Sequence, residues 1–172
     1  MSCLPNTPVA FDERCSGWVQ FASPDLTSLA QYEPLSATVL TLPLIAEATG
    51  QVVIITQLMI REVATSGLTS NALDIALWDV SGVTAPTLGA VYNPSTTNDK
   101  GIVQVASADF VRRSATRREA IVKPNLRYET SDDATSVNLY AVAMFSGATP
   151  TTLHASHEYW IQVFTQLAQT TS

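Results

Sequence analysis

The sequence is poor in charge: Asp, Glu, Lys and Arg make up 14% of its 172 residues, against about 25% in an ordinary globular chain. Neither a disordered acidic tail nor a coiled coil is built on so little charge. Lysine is scarcer still, with Lys100 and Lys123 alone, and no glycine-rich phosphate loop is there for either to serve. Histidine is confined to His154 and His157, and the absence of G-x-S-x-G removes the nucleophile elbow. Two cysteines, Cys3 and Cys15, with no C-x-x-C spacing specify neither a zinc site nor a disulfide framework, and both are expected as free thiols. No apolar run approaches the ~20 residues that cross a bilayer. The N-terminus has no basic start followed by an apolar stretch, so neither a membrane partner nor a secretory signal is expected. A formal net charge of −6 works against nucleic acid as a partner.

What the sequence has in quantity is hydroxyl and β-branched side chains. It holds 21 threonines and 16 serines, and 46% of its residues are hydrophobic. A hydroxyl-rich surface over a Val- and Ile-rich interior favours β-structure. At this length one globular unit is expected, burying roughly 70% of the unfolded chain's surface. Residues 1–36 stand apart: Pro5, Pro8, Pro24 and Pro34 punctuate them and no hydrophobic period persists, which predicts an extended N-terminal arm. Within it, 17–21 is a candidate short strand. The arm either wraps its own domain or reaches a neighbour, with Phe11, Trp18 and Phe21 as anchors that are costly to leave in water. Over residues 37–172, β-branched runs alternate with turn signals. Strands are predicted at 38–45, 51–63, 73–79, 88–92, 101–105, 110–113, 120–122, 137–145 and 158–167. In the second, Val52, Ile54, Thr56, Leu58 and Ile60 share one face. The expected fold class is all-β: an antiparallel β-sandwich, jelly-roll-like, with an extended N-terminal arm.

Candidate chemistry is sparse. His154 and His157 are three apart, a spacing that places two imidazoles on one metal in a helix but sends them to opposite faces of a strand. Asp132 and Asp133 have no Asp-rich loop around them to complete a calcium site. A sugar hydrolase needs two carboxylates facing across a cleft; Asp74, Asp79 and Glu158 are available, and nothing in the sequence pairs them. No catalytic set, metal or cofactor is expected. One charge cluster stands out: Arg112, Arg113, Arg117 and Arg118 are four of the chain's seven arginines. It reads as a solvated loop or as a docking patch for an acidic surface, since guanidinium forks match carboxylates.

Alternation supplies a second candidate surface. If Leu73, Ile75 and Leu77 face inward, Trp78 faces outward. Inward Leu139, Ala141 and Ala143 likewise leave Tyr140, Val142 and Met144 outside, and inward Tyr159, Ile161 and Val163 leave Trp160 and Phe164 outside. So many large apolar side chains on outer faces predict self-association, or else cover by the N-terminal arm. A carbohydrate-binding module on this fold would show loop aromatics, for which Tyr92 and Trp18 are the candidates.

Three segments in order carry a resemblance. The first is Leu73-Asp74-Ile75-Ala76-Leu77-Trp78-Asp79. Next comes Ala90-Val91-Tyr92-Asn93-Pro94-Ser95, running on to Asn98-Asp99-Lys100-Gly101-Ile102-Val103. The last is Leu139-Tyr140-Ala141-Val142-Ala143 with Gly147-Ala148-Thr149-Pro150-Thr151. This order resembles a family of small virion structural proteins of tailed bacteriophages and prophages, over residues 52–167 and not the arm. Members read as an apolar strand ending in a Leu-(Leu/Trp)-Phe-Asp-like motif, a Pro/Asp loop and a Gly-Val-Val strand, then a Leu-Tyr strand and a Thr-Pro-Thr turn. Trp78 stands where Phe is more usual. The resemblance implies a non-enzymatic β-sandwich on the virion, a capsid decoration (cement) protein on the outer capsid surface, made in the host cytoplasm. Its implied partners are the major capsid protein and further copies of itself, by analogy a trimer. A neck or tail position, or a fibre-type receptor- or carbohydrate-binding module, is the alternative.

Overall fold

The run Val52–Val63, dense in β-branched side chains, forms the longest strand among the described residues and lies at the centre of the larger sheet. The computed structural model describes residues 13–21, 26–43, 45–46, 50–65, 68–94, 99–130, 138–153 and 157–167. Within them the strands are β1 (Glu13–Cys15), β2 (Val19–Phe21), β3 (Leu26–Leu29), β4 (Leu40–Leu42), β5 (Val52–Val63), β6 (Leu73–Trp78) and β7 (Asp99–Val105), followed by β8 (Phe110–Ser114), β9 (Arg117–Val122), β10 (Leu126–Glu129), β11 (Leu139–Phe145), β12 (Thr151–Leu153) and β13 (Glu158–Leu167). The seven-stranded sheet has the order β1-β13-β5-β9-β8, with β2 also on β13 and β10 also on β5; the four-stranded sheet runs β4-β11-β6-β7; β3 and β12 form a two-stranded ribbon.

Every one of these pairings is antiparallel. Take the principal strands β2, β4, β5, β6, β7, β9, β11 and β13 in chain order. The first pairs with the last, the second with the last but one, and so inward to β6 with β7. This nesting is a jelly roll, in agreement with the expected fold class.

The core lies between the two main sheets. Leu73, Ile75 and Leu77 of β6, Leu139, Ala141 and Ala143 of β11, and Tyr159, Ile161 and Val163 of β13 all enter it, as their alternation requires. On β5 the expected single face does not form. Phe164 pairs with Gln57 but Thr165 pairs with Ile55, so Thr56 is an extra residue whose hydroxyl bonds to the Phe164 carbonyl at 3.3 Å. The bulge reverses the alternation: Val53 and Ile55 face the core before it, Leu58 and Ile60 after it. The strand expected at 88–92 is a turn region, while the short strands β1, β3, β10 and β12 were not anticipated.

The described residues of the N-terminal segment pack against the sandwich. β1 and β2 both lie along β13, and Phe21 is wholly buried, its ring stacked 5.5 Å from that of Tyr159. Farther on, the N–H groups of Tyr32 and Leu35 donate to the Phe145 and Ala143 carbonyls of β11, at 2.6 and 2.9 Å. Within the chain, β1 and β2 cover an edge that β13 would otherwise leave unpaired. Phe11 lies outside the described residues. Cys15, expected as a free thiol, is disulfide-bonded; the sequence holds one other cysteine, Cys3, outside the described residues.

Candidate functional site

Residues directly opposite one another in an antiparallel sheet share a face. On β5 and β9, Ile60 and its partner Ala120 point into the core, so the next pair, Arg61 and Glu119, points out. The same outward row continues to Trp160 on β13 and Val111 on β8. One row along, Arg117 stands opposite Val63, which stands opposite Glu158.

Glu119 is the hub of this face. Its carboxylate lies 2.9 Å from the Arg61 Nε, 3.2 Å from the Arg113 Nε and 3.7 Å from the Arg117 Nε. Burial alone would raise the Glu119 carboxyl; the hydrogen bond and charge of Arg61, with Arg117 and Arg113, outweigh it and hold the group below the ordinary carboxylate value. The Arg61 guanidinium also sits over the Trp18 ring, 3.9 Å from its centroid, a cation–π contact. The Trp160 Nε1–H donates to Glu158 at 3.3 Å, leaving its ring half-buried on the same face. Ile121 and Val111, exposed by 42% and 53%, complete a surface that is apolar and cationic by turns.

The structure thus brings together residues that the sequence left in three separate groups: Trp18 of the arm, Trp160 of the supposed oligomer face, and Arg113 and Arg117 of the charge cluster. The cluster is not a loop. It spans the β8–β9 hairpin, with a bulge at Arg113 between the pairs Arg112–Arg118 and Ser114–Arg117. Arg118 does not join the docking set: it faces the core side opposite Glu62, and its guanidinium bonds to the Ser70 hydroxyl. Arg112 is exposed, its Nε donating to the Ser114 carbonyl at 3.1 Å.

The small-sheet half of the expected oligomer face is corrected. Trp78 is wholly buried, and Val142 and Met144 retain 2% of their exposure. They pack with Ala76 and Tyr92, and with the half-buried Tyr140, Val39 and Val83, in a second cluster outside the small sheet. The segment after β6 folds back to cover them, with Tyr92 edge-on to Trp78 and its hydroxyl donating to the Thr84 carbonyl at 2.9 Å. Tyr92 is therefore part of this cover and not an exposed loop aromatic. On the large sheet, Phe164 is half-buried opposite Cys15.

A buried polar cluster went unnoticed in the sequence. Glu62, wholly buried, accepts hydrogen bonds from the Thr69 N–H at 2.8 Å, the Thr69 hydroxyl at 2.9 Å and the Ser70 N–H at 3.1 Å. The Tyr159 hydroxyl lies 3.4 Å and His157 Nε2 3.7 Å from it. Burial, then the charge of Glu62, pushes the Tyr159 phenol above its usual range. The signal was available: after Leu58 and Ile60, Glu62 is the next inward position. The cluster fixes segment 69–71, which forms one wall of an open groove of about 390 Å³ lined by Ser70, Asn71, Ser107, Phe145, Thr149 and Thr151.

The other sequence candidates are dispersed. Asp74 lies within β6 near its start and Asp79 follows its end, while Glu158 opens β13 in the other sheet. Burial pushes the Asp74 carboxyl up, against a hydrogen bond from Ser146. Asp79 is buried and pairs with the Lys100 Nζ at 3.1 Å. His157 is committed to the interior; His154, Asp132 and Asp133 lie outside the described residues.

No family model and no curated protein matches the chain. Among solved structures, it is similar to a crystal form of the tobacco streak virus coat protein at 13% identity, covering 99% of this chain and 94% of that one, with a TM-score of 0.24. A structure of the dimer of that coat protein is matched at 14% identity over 99% and 93%, with a TM-score of 0.26. Likenesses of this size carry no residue correspondence, and the site rests on the geometry above.

Proposed function

We propose that this chain is a non-enzymatic structural protein of a virus particle, which docks on the shell of the major capsid protein through the outer face of its large sheet. The observation that carries this reading is the convergence of Trp18, Trp160, Arg61, Arg113 and Arg117 on one face of an otherwise acidic, charge-poor sandwich. Tryptophan and arginine are the residues that dominate the energetics of protein interfaces. Three arginines against Glu119 and Glu158 give the face local positive charge, which an acidic protein needs to approach an acidic shell. The resemblance to phage virion proteins supports a decoration (cement) role on the outer capsid surface after synthesis in the host cytoplasm. A repeated clamp across capsid seams gains stability by avidity. Self-association belongs to the same reading, with the trimer resting on analogy alone, and its surface would be the large-sheet side near Trp160 and Phe164.

The test is attachment of the purified protein to particles lacking it. Arg113→Gln with Arg117→Gln should weaken attachment, with the largest relative loss at low salt, and Trp160→Ala should weaken it at every salt concentration. Attachment unchanged in both variants would overturn the docking face. Copy number in purified particles separates the roles: a number near that of the major capsid protein fits cementing, and a handful fits the neck or tail. The hydroxyl-lined groove beside segment 69–71 favours a second reading, a fibre-type receptor- or carbohydrate-binding module, which glycan-array binding would reveal.

A further inference from the structure

β8 ends the strand order of the large sheet, and among the described residues no strand lies beyond it. Its residues from Val111 to Ser114 are all exposed. An edge of this kind presents backbone donors and acceptors to any extended chain that approaches. The residues of β8 restrict which chain that is. Full antiparallel overlap of two β8 strands sets Arg112 opposite Arg112 and Val111 opposite Arg113. Like charges directly opposite each other destabilise a strand pair. The hairpin already holds one such pair, Arg112 with Arg118, and there Arg118 turns away to the Ser70 hydroxyl. A second copy of the edge therefore fits badly, and a strand carrying carboxylates fits well. The neighbouring charges act in the same direction. Arg61, Arg113 and Arg117 share the single carboxylate of Glu119, so the rim beside the edge stays cationic after its internal pairing.

We propose that the β8 edge accepts an extended acidic segment of a partner protein as an added strand, its carboxylates on the outer face meeting Arg113 and Arg117. The proposal rests on the docking reading above and gives that partner a chemistry. Backbone hydrogen bonds along β8 supply the affinity, and the arginines fix the register and reject neutral or basic strands.

The test uses the full chain and two synthetic peptides of alternating glutamate and valine with the same charge. One has an ordinary backbone, and the other is N-methylated at every residue, so it keeps its carboxylates but cannot donate to a strand. The ordinary peptide should bind, more weakly as salt rises, and should slow amide hydrogen exchange within Phe110–Ser114. The methylated peptide should bind at least about tenfold more weakly. Equal binding of the two overturns strand addition and leaves a charge-based docking face standing. Binding of neither also overturns it, and the arginines then only guard the edge against aggregation. Attachment of the arginine and Trp160 variants to particles is measured separately, so failure of the docking reading is distinguishable from failure of strand addition.

Discussion

Glutamine at position 119 preserves the shape of the side chain and removes the one negative charge shared by three guanidinium groups. The affected contacts are 2.9, 3.2 and 3.7 Å long, to arginines whose side chains are 27%, 41% and 46% exposed, against 10% for Glu119 itself. Pairs this accessible are worth about 0.2–1 kcal/mol each, so the loss is on the order of 1–2 kcal/mol. For a chain of this size that lowers Tm by about 2–8 °C. The pH dependence identifies the cause. In the folded protein the Glu119 carboxyl is held below its ordinary value of 4.5. Its contribution is therefore complete above the unfolded value and disappears as pH falls through the folded one. Thermal unfolding of wild type and Glu119→Gln should differ at neutral pH and converge well below pH 4.5. A difference that persists unchanged in acid would assign the loss to packing, and no difference at neutral pH would remove Glu119 as the hub. On the docking proposal, the same variant makes that face more cationic, so attachment to an acidic partner should strengthen while the fold weakens.

Gly147→Ala places a Cβ 2.5 Å from Cζ of the buried Phe145 ring, which should cost about 1–3 kcal/mol in denaturant unfolding; a neutral result would mean that the ring has room to move. Trp78→Ala should cost about 3–5 kcal/mol, because the side chain is wholly buried. Its mass by light scattering should stay that of the wild type, and a changed mass would return Trp78 to a subunit interface. Glu62→Leu strips the Thr69 and Ser70 N–H groups of their acceptor, with a loss of about 2–5 kcal/mol and faster amide exchange at 69–71. Exchange rates equal to wild type would show that the carboxylate does not fix that wall of the groove.

The sequence alone determined the all-β class, the inward sets of β6, β11 and β13, and the main strands, because alternation and β-branched density are properties of neighbours in the chain. It also determined that Arg112, Arg113, Arg117 and Arg118 form the one charge cluster. Tertiary structure decided everything that depends on what lies across a face or beside an edge. The bulge at Thr56, set by its pairing with β13, reversed the inward face of β5, which no count along Val52–Val63 reveals. Trp78, Val142 and Met144 do point away from the core, as alternation requires, yet the chain after β6 returns over them, so an outward direction did not make a free surface. Phe21 anchors the interior on Tyr159, whereas Trp18 lies under Arg61 on the outer face, with only two residues between them in the arm. The arginines were divided the same way, Arg118 going to Ser70 and Arg113 and Arg117 to Glu119, because strand pairing assigns each side chain a face and a partner far away in sequence.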